Sequence, residues 1–303
     1  MSTPEKLRKA FKGVIALTVT PFKKDKTIDE EKLRENVDYL IRNEANVLVV
    51  NGSCGECYAM TLEEQKKVIK IAVDEVNGRI PVVAGTSHSG TDIAIELSKY
   101  AEDVGADGVQ VIPPYYYVAD VIAHYKRISE AINIGIVIYN NPEVVHKALT
   151  PETLLKMISE ARNIIGIKDC TEDLVMASET IKALGNKVAV TCGTGEALAP
   201  FFYLLGSPGA YSSIVNFAPQ FPVKMYKAAI RGDYKEMMDI HQRLIPLMKF
   251  IREHGPFIRV IKGAMELMGR SAGPVRLPLT PLTPEEKEEL KTILVELGLL
   301  ENI

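Results

Sequence analysis

The sequence predicts an α/β chain folded as a (β/α)8 (TIM) barrel with a C-terminal helical extension, on three observations. Short apolar or β-branched runs recur about every 20 to 35 residues, each followed by a segment of helical periodicity. Eight such runs occur, whereas an open doubly wound sheet usually has about five or six strands. Each run is apolar nearly throughout, as a parallel strand covered on both faces must be.

Taken in order, strands are expected at Val14 to Thr20, Val47 to Asn51, Val82 to Thr86, Gly108 to Pro113, Gly135 to Asn140, Ile164 to Asp169, Val188 to Gly193 and Gly209 to Ile214. Between them, Thr61-Leu-Glu-Glu64 and Thr150-Pro-Glu-Thr153 place a capping hydroxyl and an N-terminal carboxylate where helices should begin. After Ile214 the alternation stops. Helices alone are expected at Pro222 to Arg231, Tyr234 to His254, Phe257 to Met268 and Pro284 to Leu299. Residues 1–218 form the expected barrel and carry the site; residues 219–303 form the expected extension. No further repeat, low-complexity tract or linker interrupts the chain.

At 303 residues and 47% hydrophobic, the chain can bury a large core. Its net charge of -3, with acids and bases interspersed, gives no nucleic-acid or anionic-membrane surface, so the expected partner is a small molecule. The polar start MSTPEKLRKAFKG and the lack of a run near the roughly 20 apolar residues of a span point to a cytoplasmic protein. Four cysteines are too few for a disulfide scaffold.

In such barrels chemistry occupies the C-terminal strand ends. Those ends supply Ser53, Cys54, Gly55 and Glu56; Ser87 and His88; Pro114 to Tyr117; Tyr139 and Asn140; Lys168 and Asp169; and Cys192 to Glu196. Lys168 is a lone amine leaving the apolar strand Ile164-Ile-Gly-Ile-Lys168. Desolvation there is expected to disfavour the ammonium, and a neutral lysine is the nucleophile of Schiff-base chemistry. The alternative is a lysine that snorkels to water or pairs with Asp169. Tyr139, ending the adjacent strand, could shuttle protons through its phenol with Ser53 as relay, or be an ordinary core ring. Gly52-Ser-Cys-Gly55 offers unobstructed backbone N–H groups suited to a carboxylate. Amine, phenol and cradle together suggest a 2-oxo acid.

G-S-C-G-E at 52–56, P-P-Y-Y at 113–116, Y-N-N-P at 139–142 and G-I-K-D at 166–169 resemble, in order and spacing, the dihydrodipicolinate synthase / N-acetylneuraminate lyase family. G-T at 85–86 and G-x-G-E at 193–196 extend the resemblance over most of the chain. It implies a class I, metal-independent aldolase-type lyase without a cofactor, commonly a homotetramer built as a pair of dimers. Lys168 would form the imine with pyruvate, Tyr139 would move protons, and Ser53 would relay them. Tyr116 would reach a neighbouring subunit's site. The amides of Ser53 and Cys54 would hold the pyruvate carboxylate, and Gly193, Glu196 and Tyr211 would complete the substrate site.

The departures concern the second reactant. Cys54 stands where the family usually has threonine. The loop after strand five reads Glu143-Val-Val-His146, with Val144 near the place where dihydrodipicolinate synthases carry a carboxylate-binding arginine. Tyr211 replaces a smaller aliphatic residue, and one acid, Glu196, remains of the pair that neuraminate lyases use. These differences rank aldol cleavage or dehydration of a 2-oxo-3-deoxy acid first. Dihydrodipicolinate synthase, which condenses pyruvate with aspartate semialdehyde, and a hydratase-aldolase acting on an unsaturated 2-oxo acid are the alternatives. Three other classes fit less well. Cys54, Cys170 and Cys192 with His88 could form a metal centre, but cysteine is also a common small core residue. Gly193-Thr-Gly195 lacks the rest of a nucleotide-binding fingerprint. A non-catalytic 2-oxo-acid-binding barrel would not need Lys168, Tyr139 and Ser53. The spacing Cys54-x-x-Cys57 alone would suit a redox dithiol or half a zinc site; within this loop it is a coincidence, with Glu56 a buried support rather than an acid catalyst.

Overall fold

The structure, a computed structural model, describes residues 3–116, 120–146 and 148–301. Tyr117, at the end of the strand-four segment singled out above, lies outside the described residues.

The chain begins with α1 (Pro4–Ala10) and β1 (Gly13–Leu17), followed by α2 (Glu30–Arg42), β2 (Val47–Val50), α3 (Leu62–Val76), β3 (Val82–Gly85), α4 (Thr91–Asp103) and β4 (Gly108–Val111). The second half runs α5 (Val121–Ala131), β5 (Gly135–Asn140), α6 (Pro142–Val145), α7 (Pro151–Glu160), β6 (Ile164–Asp169), α8 (Leu174–Leu184), β7 (Ala189–Cys192), α9 (Ala199–Leu204) and β8 (Gly209–Ser212). Four helices follow: α10 (Gln220–Arg231), α11 (Tyr234–Glu253), α12 (Phe257–Leu267) and α13 (Pro284–Glu296).

All eight strands are parallel and close in sequence order, β8 pairing back onto β1. Every strand residue is buried, because side chains facing inward fill the barrel and those facing outward meet the helices. The expected strands are present, but six of them end one to three residues earlier than the apolar runs. Thr18 to Thr20, for example, stay buried but leave the ladder after Leu17. The capping boxes expected from sequence include a complete one at Thr61, whose hydroxyl accepts from the Glu64 N–H while the Glu64 carboxylate accepts from Thr61 N–H.

α1 is not among the helices expected from sequence, although Thr3-Pro4-Glu5 carries the same start signal as Thr150-Pro151-Glu152; Leu7 is the lone large apolar residue among PEKLRKA. Thr3 caps it, and Leu7 is wholly buried beneath the barrel. A Cβ on Gly108 or Gly135 would come within 2.6 or 3.0 Å of the Leu7 side chain, so these glycines make room for it. Phe11 continues the floor, edge-on to Tyr211 at 6.1 Å between ring centroids. Burying each of these side chains contributes roughly 2 kcal/mol.

α10 packs on β1, taking the place of the eighth outer helix. This arrangement supports a proposed boundary after α10, with α11 to α13 as the extension. No helix among the described residues is long and apolar enough to cross a membrane.

Candidate active site

Adjacent parallel strands bring Tyr139 of β5 and Lys168 of β6 side by side, since the two are register partners, as are Asn140 and Asp169. The Lys168 Nζ lies 3.8 Å from the Tyr139 ring centroid and 4.7 Å from that of Tyr211 on β8. Lys168 is 3% exposed, so its ammonium is held mainly by aromatic faces. Gly193 gives the lysine its path: a Cβ there would sit 2.9 Å from the Lys168 Cγ and 2.3 Å from the Cys170 Sγ.

Asp169 does not pair with Lys168. Its Oδ1 accepts from Asn140 Nδ2 at 3.1 Å and from the Thr171 N–H at 3.0 Å, while burial pushes its carboxyl up to about 6. The lysine itself corrects a sequence expectation. Burial presses its pKa down, but Tyr139 and Cys170 outweigh burial, and the net position is above the ordinary lysine value. The charge on the amine is therefore coupled to the phenol and thiol beside it and is not set by burial alone.

The Tyr139 hydroxyl accepts a hydrogen bond from Asn141 Nδ2 at 2.9 Å, and burial raises the phenol's pKa. Asn141 also caps α6, accepting from the Glu143 N–H at 3.2 Å. Asn141 belongs to the Y-N-N-P motif without a role assigned to it from sequence, and its place ahead of Pro142-Glu143 is a helix-start signal. Tyr211 is 1% exposed and its hydroxyl has no partner among the described residues, so a bound carbonyl or carboxylate would satisfy a buried donor.

Tyr139, Lys168, Cys170, Gly193, Glu196 and Tyr211 share one cavity of about 620 Å³. Glu196 Oε1 accepts from Ser212 Oγ at 2.5 Å, and burial pushes its carboxyl up to about 7. His241 Nδ1 lies 3.1 Å from the Glu196 carbonyl. Another wall comes from α11, where His241, Ile245, Met248 and Arg252 recur at helical spacing and share the cavity with Glu143 of α6 and Glu172 of the loop after β6. These α11 residues escaped sequence analysis because helical periodicity does not reveal which face overhangs a barrel mouth.

Three expected site residues are not among those lining the cavity. Ser53 and Cys54 form the 3-10 turn after β2; Ser53 is half-buried, and Cys54 is buried with Sγ 3.6 Å from the Leu17 carbonyl. Lys168 is still close enough for its charge to act on the Cys54 thiol, which burial pushes up to about 12. Tyr116 is 74% exposed, on the loop after β4. All four cysteines are free. The described residues contain no group of three or more His, Cys, Asp or Glu placed to hold a metal.

The sequence profile of the Dihydrodipicolinate synthetase family matches residues 10–297. The 4-hydroxy-tetrahydrodipicolinate synthase of Methanocaldococcus jannaschii is 40% identical over 295 residues, 96% of this chain and 100% of that protein. A probable 5-dehydro-4-deoxyglucarate dehydratase of Bradyrhizobium is 34% identical, over 97% of this chain and 94% of the relative. Among solved structures, dihydrodipicolinate synthase from Aquifex aeolicus is 33% identical and superposes with a TM-score of 0.91, covering 96% of this chain and 100% of that one. A prophage protein of Escherichia coli in the dihydrodipicolinic acid synthase family, solved in complex with pyruvate, is likewise 33% identical with a TM-score of 0.91, over 96% and 99% of the two chains. The chain therefore belongs to the dihydrodipicolinate synthetase family, whose members are class I, Schiff-base-forming lyases.

Proposed function

We propose that Lys168 forms an imine with pyruvate and that the enzyme makes or breaks a bond at pyruvate C3. The observation that carries this is the buried Lys168 amine set against the Tyr139 ring on the cavity floor. Having lost its proton, Lys168 attacks C2, and the carbinolamine hydroxyl leaves as water with a proton from Tyr139. The Tyr139 phenolate left behind takes a proton from C3, and the imine accepts the electron pair of that C–H bond, giving an enamine. The enamine carbon adds to an aldehyde carbonyl, whose oxygen takes up the proton, and hydrolysis frees the amine. Cleavage is the reverse. The amides of Ser53 and Cys54 would hold the pyruvate carboxylate at the inner end.

For the second reactant, the relatives reverse the ranking made from sequence. Relatives at 36 to 40% identity over nearly the whole chain carry the name 4-hydroxy-tetrahydrodipicolinate synthase, and this favours condensation of pyruvate with aspartate semialdehyde. Arg252 supports it physically: it lines the cavity and has no ion pair or hydrogen bond among the described residues, which suits a substrate carboxylate. A specific observation favours the second reading, a lyase or dehydratase of a 2-oxo-3-deoxy acid. The loop after β5 presents Glu143 to the cavity and Val144 to solvent, and a relative at 34% identity is named a dehydratase.

Borohydride with pyruvate should add one reduced pyruvyl mass to the protein and none to Lys168→Ala; an adduct surviving in the variant sinks the assignment. Because the raised lysine pKa leaves little free amine at neutrality, adduct formation should quicken as pH rises. Turnover of aspartate semialdehyde against a panel of 2-oxo-3-deoxy acids separates the two readings. Assembly as a pair of dimers belongs to the same proposal, supported by the exposed Tyr116, which would serve a neighbouring copy. A monomer in sedimentation equilibrium would overturn that part.

A further inference from the structure

The turn that offers the carboxylate cradle is bracketed by two non-glycine residues in the left-handed region, Asn51 at φ 59° and Glu56 at φ 57°. Such backbone persists only where surrounding contacts over-determine it. Asparagine tolerates this conformation and is held besides, its Nδ2 donating to the Gly85 carbonyl at 2.7 Å and to Gln65 Oε1 at 3.0 Å. Glutamate tolerates it less well, and here its side chain is restrained in addition to the backbone of the turn.

That side chain is wholly buried and reaches into the C-terminal helices. Glu56 Oε1 lies 2.6 Å from Lys262 Nζ on α12, and Oε2 accepts from the Arg276 N–H at 2.8 Å. Lys262 is itself 4% exposed. It donates further to the Thr20 carbonyl at 2.8 Å and the Pro274 carbonyl at 3.2 Å, and lies 4.6 Å from the Phe22 ring centroid. The ammonium thus joins the C-terminal extension, the chain leaving β1 and the turn after β2 at one point. A buried ion pair is poor evidence for stability, since desolvation offsets its attraction, but its fixed geometry can specify conformation.

The Glu56 backbone closes the turn, its N–H donating to the Ser53 carbonyl at 3.1 Å, while Gly55 N–H donates to the Gly52 carbonyl at 2.9 Å. Release of Glu56 from the left-handed region would turn the peptide planes that aim the Ser53 and Cys54 amides. We propose that Lys262 is a positioning residue for the reaction: acting through Glu56, it holds the carboxylate-binding amides of the turn in register with Lys168. This rests on reading the turn as the pyruvate carboxylate cradle.

The test compares pyruvate with methyl pyruvate, whose carboxylate is masked, in borohydride trapping at Lys168. The wild type should half-saturate at a much lower pyruvate than ester concentration. In Lys262→Met the half-saturating pyruvate concentration should rise about tenfold, with the ester value and the adduct yield at saturation unchanged; Glu56→Gln should do the same and Lys262→Arg should recover most of the loss. A lower melting temperature with both half-saturation values intact would make the pair structural only and overturn the proposal, as would an equal shift for both ligands. If Lys262→Met does not fold, Lys262→Gln and Glu56→Gln supply the same comparison. A wild type that traps both ligands alike would overturn the cradle and the proposal together, while leaving the Schiff base at Lys168 standing.

Discussion

The inner and outer ends of the cavity are built by opposite rules. At the inner end Lys168, Tyr139, Tyr211 and Glu196 are each at most 7% exposed; the first three lie in strands whose register is fixed by the barrel, and Glu196 in the 3-10 turn that follows β7. At the outer end Glu143, Glu172, Lys249 and Arg252 are exposed, and they come from loops and from a helix outside the β-α alternation. A shared first reactant demands invariant geometry, which a hydrogen-bonded ladder supplies; a variable second reactant is accommodated by side chains that can change without disturbing the ladder. The family names found for the relatives, synthase and dehydratase, follow the same division.

The contrast predicts a larger energetic cost for ionisation at the inner end than at the outer. Glu196 holds its proton up to about 7 in the folded chain against 4.5 for an ordinary glutamate, so the stability it contributes is complete below about 4.5 and is lost as pH rises through 7. Glu196→Gln escapes that loss. Its unfolding free energy relative to wild type should therefore climb between pH 4.5 and 8, by an amount on the order of 3 kcal/mol at most. A pH-independent difference in calorimetry would mean that the carboxyl ionises freely and that the inner end is wetter than its burial implies.

A smaller effect is expected at the outer end. Arg252→Ala should raise KM for a carboxylate-bearing aldehyde about tenfold, equivalent to ~1.4 kcal/mol, and leave pyruvate trapping unchanged. Steady-state kinetics with aspartate semialdehyde and with an uncharged aldehyde check this. Equal effects on both would remove Arg252 from substrate recognition and favour the sugar-acid reading, whereas an effect on pyruvate trapping would erase the boundary between the two ends.

The same division explains what the sequence disclosed. Strand-end position alone singled out Lys168 and Tyr139, because eight apolar runs identify the barrel and the barrel identifies its mouth. The protonation of Lys168 was not legible, since it depends on Tyr139 and Cys170 standing beside the amine as well as on burial. Glu56 could be recognised as a support, but not its partner Lys262, which lies in another helix far along the chain. Arg252 and His241 carry no local signal at all: an amphipathic helix reads the same whether its face meets a core or a cavity. α1 was missed for the converse reason, with one leucine too few to make a periodic pattern.

That leucine has a kinetic consequence. With Leu7 and Phe11 filling the floor between the strand beginnings, that end of the barrel is closed by the described residues. Under the proposed reaction, pyruvate, its partner and the product would then pass through the mouth that α11 overhangs, and would have to queue. A reactant lodged nearer the mouth would block one bound at Lys168 from leaving, so under the proposed reaction the architecture sets the order of arrival, the 2-oxo acid entering before its partner.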